Sequence, residues 1–153
     1  MEKYNTINDV LVNLFNEIWE IEKIGLITEE FTDLTVNDMH VIEAVGLGSG
    51  DKMSVIAKRL NITVGSLTIS MNSLVKKGYV VRERSETDRR VVTVRLTEKG
   101  VRAFYHHEDF HKKMVTSVLG KLEDKETDVL VESLNNLREF FRNYAKALGE
   151  DNK

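Results

Sequence analysis

Two groups of side chains in this 153-residue sequence have the types and spacing to do chemistry. The first is suited to anions and hydrogen-bonding edges. Arg82, Arg84, Arg89 and Arg90 crowd a short segment that also holds Asp88, and guanidinium forks suit phosphate or the narrow minor groove of a duplex. A free carboxylate there would weaken phosphate binding, so Asp88 reads as orienting a neighbouring arginine, Arg90 above all, through a charge-assisted pair. The plainer alternative is a surface salt bridge worth about 0–1 kcal/mol. Upstream, Thr63, Gly65, Ser66, Thr68, Ile69, Asn72, Ser73 and Lys76 form a set dominated by small hydroxyl and amide groups that can approach base edges and phosphates closely. The second group is histidine. His107 and His111 stand four apart and share a helix face, with His106 and Glu108 adjacent and His40 and Glu22 as candidates to join them in the fold. Imidazoles at that spacing suit zinc, but two alone are an incomplete ligand set.

The charge distribution decides how far the arginines can be taken. The net charge is only −3, which by itself argues weakly against nucleic acid. The average conceals an asymmetry: residues 52–102 carry twelve Lys and Arg against four acids, a net of +8, leaving −11 for the two ends. A basic middle third fits either a solvated face or a phosphate-binding surface, and the pattern inside it has to choose.

That pattern is a succession of short elements. Thr6 with Asp9 makes a loose capping pair, and Val10, Leu11, Leu14, Phe15, Ile18, Trp19 and Ile21 follow at helical spacing, predicting a first helix from about Thr6 to Ile24. Thr35 with Asp38 repeats the capping signature before a shorter helix that closes at Gly46, and residues 46–51 read as a loop. Residues 54–60 and those after Thr63 then predict two short helices joined by a tight turn at Asn61 and Ile62. On the second of these Leu67, Met71 and Leu74 face inward, which leaves the hydroxyl and amide set outside. After Gly78 the period changes. Tyr79 to Val81 and Val91 to Leu96 are β-branched and aromatic runs flanking the polar segment 85–90, a hairpin with a charged tip. Thr97 caps a long fifth helix up to Gly120, and Asp124 starts a last helix whose broad apolar face, with that of the first helix, would suit a dimer core.

Helix, tight turn, helix and two-stranded wing is the physical description of a winged helix-turn-helix, whose second helix enters the major groove while the hairpin follows the adjacent backbone. The fold class is therefore mainly α with a small β-hairpin: a lobe over 35–100 flanked by dimerisation helices in 1–34 and 101–153. The expected partners are double-stranded DNA and a second copy of the chain.

The residues that follow Ile56, particularly Leu74-Val-Lys-Lys-Gly-Tyr-Val-Val-Arg-Glu-Arg, then Asp88-Arg-Arg and Leu96-Thr-Glu-Lys-Gly100, resemble the MarR family of bacterial regulators. The resemblance implies a triangular homodimer on a pseudo-palindrome. Within the family, Asp38-Met39-His40, the run from Ser70 to Tyr79, the run from Arg84 to Val92 and Phe110-His-Lys-Lys-Met-Val115 are similar to the FabT type, repressors of fatty acid synthesis genes. That similarity implies repression tightened by long-chain acyl groups on acyl carrier protein, with the chain lodged between the dimer helices and the DNA-binding lobe. Ile18, Ile21, Leu26, Phe31, Met39, Phe104 and Phe110 could line such a slot and could equally be plain core. Two other effectors stay open within the family: zinc, held by His40, His107 and His111, and another small apolar ligand that releases DNA.

Other classes of function find less support. No glycine-rich phosphate loop, nucleophile elbow or carboxylate pair suggests catalysis, and no cofactor is expected. The absence of cysteine excludes disulfides and thiolate chemistry. No apolar run of membrane-spanning length and no signal peptide is legible, so a cytoplasmic protein without membrane contact is expected. A winged helix used only for protein contact is the remaining rival, since fold does not fix function.

Overall fold

The structure is a computed structural model and describes residues 1–26, 28, 30–84 and 91–150. Its elements run α1 (Glu2–Leu26), α2 (Val36–Val45), β1 (Asp51–Lys52), α3 (Met53–Leu60), α4 (Val64–Lys76), β2 (Val80–Arg84), β3 (Val92–Leu96), α5 (Glu98–Leu119) and α6 (Asp124–Glu150). By packing, the chain divides within α5, into Met1–His111 and the residues from Lys112 onward.

Local chemistry sets most of these boundaries. The Thr35 hydroxyl accepts from Asp38 N–H at 3.1 Å while the Asp38 carboxylate accepts from Thr35 N–H at 3.0 Å, the reciprocal capping box expected for α2. Thr63 caps α4 in the same way, its hydroxyl accepting from Ser66 N–H at 3.1 Å. The tight turn between α3 and α4 is made by Asn61 in the left-handed region, φ 54° and ψ 42°, a conformation that amide side chains tolerate better than branched ones. Asn61→Val is therefore expected to cost about 1–2 kcal/mol, visible as a lower urea midpoint with unchanged slope, and Asn61→Gly to cost nothing.

Three boundaries differ from the sequence expectation. The first helix starts at Glu2 rather than Thr6, because the Thr6 hydroxyl donates back to Glu2 carbonyl at 3.0 Å from inside the helix instead of capping it. Strand β2 reaches Arg84 through polar residues, paired to β3 with Arg82 opposite Val94 and Arg84 opposite Val92. The hairpin of β2 and β3 gains a third strand: Asp51, expected at the end of a loop, and Lys52 pair antiparallel with Val94 and Thr93, giving a sheet in the order β1-β3-β2.

The core lies in the first unit. Met39, Ile42 and Val45 of α2, Ile56 and Ala57 of α3, and Leu67, Met71 and Leu74 of α4 close on Tyr79, Val80, Val94, Leu96 and Ala103. Full burial of side chains this size contributes about 1.5–3 kcal/mol each, so α4 is held by its inner stripe and can present the opposite face without contributing it to stability. In the second unit α6 begins where Glu126 Oε2 accepts from Glu123 N–H at 2.9 Å, and Phe140 stacks on Tyr144 with ring centroids 5.9 Å apart.

Candidate functional site

Helix α4 separates its two faces as its sequence requires. Leu67, Met71 and Leu74 are fully buried, while Thr63, Gly65, Ser66, Ile69, Asn72 and Lys76 are exposed and Thr68 and Ser73 half-buried. Ile69 is the most open of its apolar residues, at 75%, so a branched methyl surface stands among hydroxyl and amide groups, the mixture that meets thymine methyls and base edges in a major groove. The Thr68 hydroxyl donates to Val64 carbonyl at 2.7 Å, which leaves its lone pairs outward. Arg59 ties the preceding helix in place, donating to Ala44 carbonyl at 2.9 Å and pairing with Asp51 at 2.6 Å.

In the wing, Val80, Arg82 and Arg84 alternate onto one face of β2; the first is buried and the two arginines run out beyond the core edge. Across the hairpin Arg95 holds Glu83 Oε1 at 2.6 Å, so the acid between those two arginines in sequence is engaged by another cation. Asp88, Arg89 and Arg90 lie outside the described residues, as does the pairing inferred for Asp88.

A turn after α4 joins it to the wing. Lys77 closes the helix and Gly78 follows at φ +81°, where a side chain would be strained. Tyr79 is fully buried, and its hydroxyl donates to Asp33 Oδ1 at 2.6 Å. Burial and that bond to a carboxylate push the Tyr79 hydroxyl far above its ordinary ionisation range.

The histidines converge with an acid from α1. Glu22 Oε1 stands 2.6 Å from His107 Nε2 and 3.4 Å from both His111 Nε2 and His40 Nε2, and the two α5 nitrogens are 3.2 Å apart. Ligand atoms of Glu22, His107 and His111 all fall within 4.8 Å of one another. A neutral imidazole nitrogen either carries a proton or offers a lone pair, so His107 Nε2 cannot donate to Glu22 and accept from His111 at once. The 3.2 and 3.4 Å separations match the edge of a tetrahedron with zinc-ligand bonds of about 2.0–2.1 Å, whereas the 2.6 Å between Glu22 and His107 is a hydrogen-bond distance that a bound metal would have to widen. His106 is not part of it: its Nε2 donates to Gly25 carbonyl at 2.9 Å.

The apolar residues named for an acyl slot differ in burial. Phe31 and Met39 are buried in the core, Phe104 packs against it, Ile18 and Phe110 are half-buried and Ile21 is exposed; the side chain of Leu26 lies outside what is described. A cavity of about 280 Å³ is lined by Trp19, Lys23, Thr32, Leu34, Thr35, Val36 and Asn37 and by none of the seven. Trp19 and Lys23, one turn apart on α1, carry no signal in the sequence beyond the apolar stripe and a solvated charge.

Residues 32–91 match the MarR family model. Among solved structures the chain is similar to Streptococcus pneumoniae FabT in complex with DNA, with 37% identity and a TM-score of 0.84 over 92% of this chain and 98% of that one. It is 31% identical over 147 residues to the HTH-type transcriptional regulator SarZ of Staphylococcus saprophyticus, covering 94% of this chain and 92% of that protein. To the transcriptional repressor YetL of Bacillus subtilis it is 29% identical over 84 residues, 55% of this chain and 50% of that protein.

Proposed function

Because this chain belongs to the MarR family and is a DNA-binding transcription regulator rather than an enzyme, we propose that it is a repressor acting as a homodimer on a pseudo-palindromic operator at fatty acid synthesis genes. In this reading long-chain acyl-acyl carrier protein is its corepressor. The observation that carries the reading is the outward face of α4, small and polar around Ile69, in a chain 37% identical to a FabT seen on DNA. The dimer is supported by the apolar residues that α1 and α6 leave exposed, among them Phe15, Trp19, Ile24, Phe140, Phe141 and Tyr144, more than a lone chain ordinarily presents to water. The proposed contacts are Thr63, Gly65, Ser66, Thr68, Ile69, Asn72, Ser73 and Lys76 from α4, and Arg82, Arg84, Arg89 and Arg90 with Asp88 from the wing. No described helix is long and apolar enough to cross a membrane, and the site of action proposed is the cytoplasm.

The two kinds of contact have separable signatures. Arg89→Ala is expected to weaken binding to all sequences alike and to lower the log-log salt slope by about 0.9 for each phosphate it no longer neutralises. Asn72→Ala should leave that slope alone and relax preference at one base pair, by about 1–3 kcal/mol. Fluorescence anisotropy at four salt concentrations separates them.

A second reading is favoured by the cluster at Glu22, His40, His107 and His111: a zinc-responsive regulator, in which the metal would join α1, α2 and α5. Zinc bound there would neutralise Glu22 and use the imidazole lone pairs. An effector of either kind must bind the DNA-competent and the incompetent geometry with different affinity, typically by about 1–3 kcal/mol. The test is a titration of a fluorescent duplex carrying an inverted repeat from upstream of fatty acid synthesis genes, at fixed salt, with acyl-acyl carrier protein, with zinc and with chelator. Tightening by the acyl carrier, indifferent to chelator, is the expected result. A requirement for zinc would transfer the assignment to the histidine cluster, and failure to select that duplex would sink the fatty acid reading.

A further inference from the structure

Lys76 and Lys77 end the reading helix side by side, and both would ordinarily be counted as phosphate contacts. Their surroundings differ. Lys76 is exposed. Lys77 turns inward, its ammonium 2.8 Å from Asp38 Oδ2, with side chains only 26% and 10% exposed. The Asp38 oxygen that receives it also accepts from Thr35 N–H at 3.0 Å, so the carboxylate is locked by the capping box of α2 and serves as a fixed post. The backbone of Lys77 is held as well: its carbonyl accepts from Lys99 Nζ of α5 at 3.2 Å, and Lys99 lies 4.1 Å over the Tyr79 ring and 3.6 Å from Asp33.

We propose that Lys77 is a positioning residue, a strut with Asp38 that sets the angle at which α4 enters the groove, and that it does not touch DNA. The N-terminal end of α4 is fixed by the Thr63 cap and its middle by the buried Leu67, Met71 and Leu74. Beyond Leu74 no inner residue of α4 is buried, so the C-terminal turn depends on residue 77 for its hold on α2. A small rotation there moves Asn72 and Ser73 relative to base edges, whose hydrogen bonds tolerate little misplacement, while phosphate contacts adapt through long side chains.

The inference rests on DNA recognition but not on the fatty acid reading, so the duplex used is one enriched from a random pool by the full-length wild-type protein. Lys77→Met is expected to weaken binding to that duplex about tenfold, to leave binding to unrelated DNA unchanged and to leave the salt slope unchanged. Asp38→Asn, which keeps an oxygen for the Thr35 N–H, should do the same, and the double variant should be no worse than either single one. Lys77→Arg restores discrimination. Lys76→Met, as the contrast, lowers the slope by about 0.9 on every sequence. A slope reduced by Lys77→Met, or losses that add in the double variant, would overturn the proposal. So would a lower melting temperature with full selectivity retained by the folded protein, since that is what a purely structural ion pair predicts.

Discussion

Gly100→Ala is expected to destabilise the protein by about 3 kcal/mol, against the sign that helix propensity assigns. Gly100 lies in the first turn of α5, where alanine would ordinarily gain up to about 1 kcal/mol over glycine. Here an added Cβ would overlap the Tyr79 carbonyl oxygen and sit 3.1 Å from its carbon. Neither atom can retreat cheaply. The Tyr79 carbonyl accepts from Thr97 N–H at 3.0 Å, and Gly100 N–H donates to the Thr97 hydroxyl at 3.1 Å, so backing α5 away breaks the bonds that cap it. At 2–4 °C per kcal/mol for a chain of this size, the melting temperature should fall by roughly 6–12 °C. Gly48→Ala is the control: its added Cβ meets nothing within 4 Å, and it should melt within a degree or two of wild type. A neutral Gly100→Ala would mean that α5 does not close on Tyr79 this tightly.

Glu22 supplies the second large effect. Glu22→Ala removes the acceptor facing the imidazoles of His40, His107 and His111 and leaves the buried His107 Nε2 only the longer, 3.2 Å contact to His111 Nε2, at an expected cost of about 1–3 kcal/mol. The same cluster makes the protein acid-sensitive. Burial holds the His107 imidazole below the ordinary histidine value, outweighing the bond to Glu22 that pulls it upward. Burial alone would raise the Glu22 carboxyl, but its bonds to His107 and His40 and their positive charge hold it below the usual carboxylate range. Both shifts have the same sign of consequence. A depressed ionisation in the folded state means that the unfolded chain binds the proton more readily, so stability is present at high pH and lost on acidification. The His107 contribution is complete above its unfolded value of 6.5 and declines below it; the Glu22 contribution declines below 4.5. Each proton accounts for at most about 1.4 kcal/mol per pH unit. Urea titrations at pH 7.5, 6, 5 and 4 should show the two declines in that order, and Glu22→Gln, which cannot ionise, should lack the lower one. Stability that is flat from pH 7.5 to 5 would mean that His107 is not held neutral in the fold.

What the sequence made legible is what local rules control. The Thr35 and Asp38 box, the inward stripe Leu67-Met71-Leu74 and the shared face of His107 and His111 are all short-range patterns, and each sits where its spacing places it. Thr6 misleads because the same hydroxyl can cap a helix or bond back to the preceding turn, and only the extra turn from Glu2 tells them apart. Strand β1 escapes because two residues, Asp51 and Lys52, have no period, and their pairing is with residues about forty positions away. The Asp38 strut spans 39 positions and the Glu22 to His107 contact 85; neither has a signature in a window of a dozen residues. The cavity beside Trp19 and Lys23 belongs with these, since a concavity is made by the arrangement of segments rather than by any one of them.

The order β1-β3-β2 also bears on how the protein behaves when concentrated. Of the described strands, β3 carries the β-branched sequence Val92-Thr-Val-Arg-Leu96, the kind of segment that recruits copies of itself into extended sheets, and it is flanked by a partner on both sides. The edges left facing outward are a strand of two residues and the Arg82-Glu83-Arg84 end of β2, one too short to template a neighbour and the other charged at every position. Asp51 and Lys52 cover Val94 and Thr93 on that side of β3, and shortening the loop that delivers them is expected to bare those two residues to pairing with another chain.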